Sequence, residues 1–176
     1  MKENTQKVNK IVLIRDIIIP STIMIFICYL ILSVFRLTIV DGNSMNPTFE
    51  NNQKLFLNRI AYFNKTPERG DVVLANPKEL GGMYIIKRVI GVPGDTIEIK
   101  DNVLYVNDEP LTEDYLYEEM INENIEKFRL LDDEYFLCGD NRNNSLDSRA
   151  EMIGNIQRDE IIGKLIFNFN TFEVIN

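Results

Sequence analysis

The feature that most restricts the fold of this 176-residue chain is an apolar run from Ile17 to Phe35. Its nineteen residues carry no charge and are bounded by Asp16 and Arg36. As an α-helix the run would be about 28 Å long, close to the roughly 30 Å hydrocarbon core of a bilayer. We therefore predict one membrane-spanning helix over residues 17–36.

Two other interpretations of the run remain open. A cleaved signal peptide would have a shorter apolar core with small residues before the cut site, which the sequence FRLTIVDG after the run matches poorly. A buried helix of a soluble protein is rarely apolar on all sides over such a length. A retained anchor therefore fits the sequence best.

Positive charges flank the run mainly on one side. Four Lys or Arg residues precede it, and after Arg36 none follows until Lys54. The positive-inside rule then places residues 1–16 in the cytoplasm and residues 37–176 outside. We expect a single-pass protein of the cytoplasmic membrane, in contact with the lipid bilayer, with an extracytoplasmic domain.

The negative charge of that domain disfavours binding to nucleic acids. Residues 37–176 carry 14 Lys or Arg against 25 Asp or Glu, within a net charge of −8 for the whole chain. Phosphate binding requires clustered cations, and this stretch has none. We expect no nucleic-acid partner, and no sequence feature indicates an oligomeric state.

The two cysteines do not form a disulfide framework. Cys28 lies in the middle of the apolar run, whereas Cys138 lies far beyond it. A bond between them would require a sulfur within the bilayer to meet one in the folded domain. We expect two free thiols.

Residues 37–176 have the pattern of short strands separated by turns. Segments rich in β-branched and aromatic residues alternate with Gly, Pro, Asp and Asn. These segments are TIV, KLFLNRI, DVVLANP, MYIIKRVIGV, TIEIK, VLYVND and a last strand at IIGKLIFNF. Residues 108–134 contain eleven acidic residues and are expected to be either partly helical or a mobile insert. We predict one mainly β domain with antiparallel sheets.

Lys87 occupies an unusual position for a lysine. Along MYIIKRVI, strand alternation places it on the same face as Met83, Ile85 and Val89. Burial among apolar neighbours disfavours the charged amine and lowers its pKa, which would make part of it neutral near about pH 7–8. The alternative is an amine that reaches solvent from a strand edge.

Ser44 stands in the turn-forming sequence GNSMNPTF. Gly42 permits close backbone approach, and Pro47 restricts the residue before it. Such a turn would display the hydroxyl beside backbone N–H groups that could bind an oxyanion, although an ordinary turn serine is the alternative. Since the chain contains no histidine, a serine nucleophile here would need a lysine as its base.

The segment GDNRNNSLDSR, residues 139–149, is rich in side chains that hydrogen-bond to nearby backbone. Ser145, Asp147 and Arg149 alternate, so they could align along one side of a loop. A calcium loop is the competing interpretation, but the EF-hand spacing fails and Arg142 would place a cation among the ligands. We expect no metal site.

Together with ERGDVV at residues 68–73, these segments and the apolar run resemble the type I signal peptidases of peptidase family S26, in their short, single-anchor Gram-positive form. The resemblance extends from the anchor to Arg149. It implies an antiparallel β-sheet domain and a serine endopeptidase that uses no cofactor. Such an enzyme cleaves N-terminal signal peptides from secreted preproteins after small residues, at Ala-X-Ala sites, through a Ser–Lys dyad and an acyl-enzyme.

The resemblance also implies roles for individual residues. Ser44 would be the nucleophile and Lys87 the general base, with Ser145 hydrogen-bonded to the Lys87 amine. Gly42 replaces a serine that in some members donates to the oxyanion, so the backbone N–H of Ser44 would be the main donor here. The other implied roles are loop support by Asp147 and Arg149, an ion pair between Arg88 and Asp140, and a substrate groove lined by Met45 and Ile86.

Two other functions stay open. The Ser–Lys fold also occurs in self-cleaving repressor-type proteins, which carry DNA-binding segments in place of an anchor. An anchored binding module with a degenerate site is the non-enzymatic alternative, and intact Ser44, Lys87 and Ser145 speak against it.

Overall fold

The computed structural model describes residues 12–175 and divides into two compact units, one ending at Arg36 and the other beginning at Leu37. In the first unit a π-helical turn, Ile14–Ile18, continues into helix α1, Ile19–Val34. These 21 residues are long and apolar enough to cross a membrane, a test that a signal sequence also passes. The helix ends two residues before the predicted limit, because Phe35 already has extended backbone angles.

Twelve strands follow the helix within the described part of the chain. They are short, as expected for segments interrupted by Gly, Pro and Asn turns. Their bounds are β1 Phe35–Ile39, β2 Lys54–Asn58, β3 Val72–Ala75, β4 Ile85–Gly91, β5 Thr96–Lys100, β6 Val103–Val106, β7 Glu109–Pro110, β8 Ile125–Arg129, β9 Glu134–Cys138, β10 Ile156–Gln157, β11 Ile161–Asn168 and β12 Glu173–Val174.

The strands form two sheets. The larger has the order β1-β2-β11-β3-β4-β9-β10, with β12 paired to β11, and the smaller has the order β7-β6-β5-β8. The pairings among β2 to β12 are antiparallel. The prediction of a mainly β, antiparallel domain after one apolar helix is confirmed.

Alternating side chains hold the Ser44 turn against the larger sheet. In β2, Leu55 and Leu57 are fully buried while their neighbours are not, which is the period-two pattern of a strand with one core face. Met45 and Phe49, at 1% and 2% exposure, pack into the same cluster. Burial of such a side chain contributes about 1.5–3 kcal/mol, so the turn is fastened immediately after Ser44.

Three sequence expectations about strands and helices need correction. The acidic residues 108–134 contain no helix; they end in β8 and the start of β9, with irregular backbone over residues 111–124. Residues 161–168 are not the last strand, because β12 follows. Strand β9 was not predicted, since its EYFLC segment directly follows the acidic run, yet it lies between β4 and β10 in the sheet.

Candidate active site

Lys87 lies in the middle of strand β4, which is flanked by β3 and β9. Only 3% of the residue is exposed. Burial lowers the pKa of its amine below the ordinary value of 10.5, and the nearby carboxylate of Asp147 opposes this effect without cancelling it. The expected burial of Lys87 is therefore present, and the alternative of a solvent-reaching amine is wrong.

The Lys87 amine and the Ser44 hydroxyl are in direct contact. Lys87 Nζ donates a hydrogen bond to Ser44 Oγ at 2.7 Å, across 43 residues of sequence. In its neutral form the amine has a lone pair that can accept the hydroxyl proton over the same distance. Gly42, at φ +94°, shapes the turn, and its N–H donates to Asn51 Oδ1 at 3.0 Å.

A cleft of about 340 Å³ opens at this pair. Two chain segments, Thr38–Asp41 and Met83–Lys87, supply most of its lining residues. Met45 and Ile86, the two residues assigned to the substrate groove, both line it. The lining is mainly apolar, which suits extended, uncharged peptide.

The loop of residues 139–149 is held by the Asp147 carboxylate. Asp147 accepts hydrogen bonds from the Gly139 N–H at 2.9 Å and from Arg149 Nε and Nη2, both at 2.8 Å. Burial has the largest single effect on the pKa of Asp147 and would raise it, but the Arg149 guanidinium and the hydrogen-bond donors around the carboxylate together hold that pKa below 3.8. Asp147 and Arg149 therefore form a buried ion pair that holds the start of the loop.

The pair of Arg88 and Asp140 fastens the same loop to strand β4. Arg88 Nε and Nη2 donate to the two Asp140 oxygens at 2.9 and 2.7 Å, and the Asp140 side chain is fully buried. The Thr48 hydroxyl donates to Asp140 at 2.5 Å. The loop also reaches the Ser44 turn directly, because the Asn141 N–H donates to the Ser44 carbonyl oxygen at 3.0 Å.

Ser145 differs from its expected role. The Ser145 hydroxyl oxygen is buried and has no hydrogen-bond partner by ordinary geometry, although it is near enough to Asp147 to help lower the pKa of that carboxylate. The predicted hydrogen bond between Ser145 and the Lys87 amine is not formed. The physical reason is that the amine is directed at Ser44, whereas the Ser145 hydroxyl packs against Gly139.

Gly139 is required for a reason that its sequence context did not indicate. Its φ is not in the left-handed region that favours glycine. Instead, a side chain there would lie closer than 3.0 Å to both the Ser44 carbonyl oxygen and the Ser145 hydroxyl. The loop and the nucleophile turn can approach this closely only because Gly139 has no Cβ.

Sequence reasoning missed several residues that shape the site. Thr48 and Asn141 lie within motifs already singled out, so closer attention to those motifs could have found them. In the sequence, Arg142 is distinctive only as a cation that does not suit a calcium loop. Glu113 and Tyr115, which contact it or Arg88, carried no signal among the surrounding acidic residues. Across residues 12–175, no group of three or more His, Cys, Asp or Glu side chains could hold a metal ion.

Comparison with known proteins identifies the family. The sequence profile described as "Signal peptidase, peptidase S26" matches residues 13–170. The chain belongs to the S26 signal peptidase family. Among its relatives, signal peptidase I P of Bacillus subtilis subsp. natto is 37% identical, over 94% of this chain and 93% of the relative. Signal peptidase I of Bacillus amyloliquefaciens is 31% identical, over 99% and 98%.

A solved structure is also similar in sequence. The crystal structure of a signal peptidase I from Enterococcus faecalis V583 is 34% identical, with a TM-score of 0.48, and the match covers 57% of this chain and 97% of that one. Family membership confirms the resemblance to type I signal peptidases and the prediction of a serine endopeptidase. The roles of individual residues stay predictions.

Proposed function

We propose that this S26 peptidase removes N-terminal signal peptides from secreted preproteins with Ser44 as nucleophile and Lys87 as general base. The observation that carries the assignment is the 2.7 Å contact between the Ser44 hydroxyl and an amine that is almost fully buried. Burial keeps the amine neutral at lower pH than an exposed lysine, and a neutral amine is the form that accepts a proton.

The reaction follows from that contact. Lys87 takes the hydroxyl proton while Ser44 Oγ bonds to the carbonyl carbon of the substrate. As the tetrahedral intermediate collapses, the C–N bond breaks and protonated Lys87 returns the proton to the leaving amine. Lys87, neutral again, then deprotonates the water that hydrolyses the Ser44 ester, which releases the signal peptide and regenerates the hydroxyl.

The oxyanion would be held by backbone rather than by a side chain. The N–H of Ser44 donates to no acceptor between residues 12 and 175, so it is free to bind the developing negative charge. Gly42 has no side chain that could assist it. We propose on this basis that the Ser44 N–H is the main donor to the oxyanion.

The cleft accommodates an extended substrate. Its walls are the segments Thr38–Asp41 and Met83–Lys87, and a peptide between them could pair with backbone as an added strand. Met45 and Ile86 line the cleft together with the catalytic pair. We propose that this selects small residues before the cut, as in Ala-X-Ala sites.

The location of the enzyme is part of the same proposal. The apolar helix would anchor the chain in the bilayer from Ile17 onward, with residues 1–16 in the cytoplasm and the peptidase domain, residues 37–176, outside. Preprotein signal peptides, which cross the same membrane, would then present their cut sites to the domain on its outer side.

Incubation of the detergent-solubilised chain with a model preprotein tests the function. Mass spectrometry should show one new N-terminus directly after an Ala-X-Ala sequence, because small residues fit beside Met45 and Ile86. Ser44→Ala should be inactive with an unchanged circular dichroism spectrum. Cleavage by Ser44→Ala would contradict the assignment, and fragments of the chain itself without cut preprotein would favour the self-cleaving alternative.

The pH dependence of cleavage should follow Lys87. Only the neutral amine accepts the proton, so kcat/KM should rise with pH as Lys87 loses its proton and reach a plateau at higher pH. The midpoint of the rise should lie below pH 10.5, because burial lowers the pKa of the amine. Measurement of initial rates from about pH 6 to pH 10 checks this. A profile without a rising limb in that range would argue against Lys87 as the base.

A further inference from the structure

One acidic side chain between β7 and β8 is buried against the catalytic loop. Most acids of this connection, residues 111–124, are exposed, including Asp114 and Glu118. The side chain of Glu113 is only 4% exposed and faces Arg142, which is fully buried. The guanidinium and the carboxylate form a bidentate pair, with Arg142 Nη1 at 2.8 Å from Glu113 Oε2 and Nη2 in contact with Oε1.

Arg142, which pairs with Glu113, also hydrogen-bonds within the loop of residues 139–149 beside Ser44. Its Nε donates to the Gly139 carbonyl oxygen at 3.0 Å, and its own carbonyl oxygen accepts from Arg149 at 2.7 Å. The backbone between Gly139 and Arg142 includes Asn141, whose N–H donates to the Ser44 carbonyl. Glu113 is therefore connected to the Ser44 turn through one side chain and one short stretch of loop.

Tyr115 provides a second connection from the same segment. Its hydroxyl donates to Glu113, and its ring lies over Arg88, with the guanidinium carbon 4.0 Å from the ring centre. Arg88 follows Lys87 directly in β4 and holds Asp140 of the loop. A cation against an aromatic face is stabilised most where it is removed from water, and the Arg88 side chain is only 8% exposed.

We propose that Glu113 and Tyr115 are positioning residues that hold Arg142 and Arg88, and through them set the separation of Ser44 and Lys87. The inference rests on the proposed function of that pair. A buried guanidinium that loses its carboxylate partner shifts toward water or toward other acceptors. Arg142 would then move the Gly139 carbonyl, which lies on the loop that carries Asn141.

Steady-state kinetics of Glu113→Gln against Glu118→Gln test the proposal with a purified model preprotein. Both variants remove one charge from the same connection, but only the side chain of Glu113 is buried, whereas Glu118 is exposed. We expect kcat to fall about tenfold or more in Glu113→Gln with KM within about twofold, because Glu113 does not line the substrate cleft. Glu118→Gln should match the wild type; equal kcat in both variants overturns the proposal.

The pH profile separates positioning from simple loss of folded enzyme. Charged and titratable groups around Lys87 are Asp147, Cys138, Arg149 and Asp140. If the loop loosens and water reaches Lys87, the rising limb of kcat/KM moves to higher pH in Glu113→Gln. A merely structural role would lower the active fraction and leave the limb in place, and that result also overturns the proposal.

Milder variants keep the test decisive if Glu113→Gln does not fold. Tyr115→Phe removes only the hydroxyl bond to Glu113, and Tyr115→Leu also removes the ring over Arg88. We expect kcat to fall in the order wild type, Phe, Leu, and Glu113→Asp to recover part of the loss. Wild-type kcat in Tyr115→Leu refutes the inference, whereas a wild type that cuts no preprotein refutes the proposed function instead.

Discussion

Replacement of Lys87 with Met should reduce preprotein cleavage by about 10²–10⁴-fold, the usual loss when a general base is removed. The chain has no histidine, and across the described residues Lys87 is the one amine in hydrogen-bond contact with Ser44. Lys87→Arg should be equally inactive, because a guanidinium stays protonated at any practical pH and cannot accept the hydroxyl proton. Initial rates at saturating preprotein measure both effects.

Lys87→Met should lose activity but should not lose stability. The pKa of Lys87 is lower in the folded chain than in the unfolded chain, so folding releases protons and stability contributed by this group rises with pH up to about 10.5. Lys87→Met removes the buried charge, and its free energy of unfolding should equal or exceed that of the wild type, most clearly at low pH. Exposed Lys100→Met, at the end of β5, is the matched control and should keep full activity. Activity in Lys87→Met would exclude the lysine as base.

Gly139→Ala should lower kcat by about 10²-fold, even though Ala is the smallest possible change. The added methyl group would lie closer than 3.0 Å to the Ser44 carbonyl oxygen and the Ser145 hydroxyl, so the loop and the nucleophile turn must separate. Because the Ser44 carbonyl belongs to the backbone, it cannot rotate away as a flexible side chain can. The hydroxyl should therefore lose its alignment with Lys87. Kinetics at saturating preprotein measure the loss.

A second glycine serves as the control for Gly139. Gly91→Ala would also create contacts under 3.0 Å, but with the methyl ends of Ile97 and Leu130 in the core. We expect it to cost about 1–3 kcal/mol of stability, measured by denaturant unfolding, with kcat of the folded protein unchanged. If Gly139→Ala lowers stability by the same amount and leaves kcat intact, Gly139 serves packing alone.

The sequence predicted those helices and strands whose residue pattern is complete within a short segment. An uninterrupted apolar run predicts a helix, and period-two alternation predicts strands such as β2 and β5. Strand β9 escaped because an acidic run precedes it and all but its first residue are buried, which leaves no alternation to detect. The same absence of a periodic signal left the helical interpretation of residues 108–134 open, and that interpretation is wrong.

The motifs around Ser44, Lys87 and residues 139–149 named the candidate site before any fold was known, since each places chemically distinctive residue types within a few positions. Tertiary structure alone showed that the Lys87 amine reaches Ser44, that the Ser145 hydroxyl does not bond to that amine, and that Glu113 is the acid buried against Arg142. The reason is physical. Burial and pairing depend on which strands meet across the sheet, and the eleven acids scattered over residues 108–134 cannot be told apart in the sequence until packing removes one of them from water.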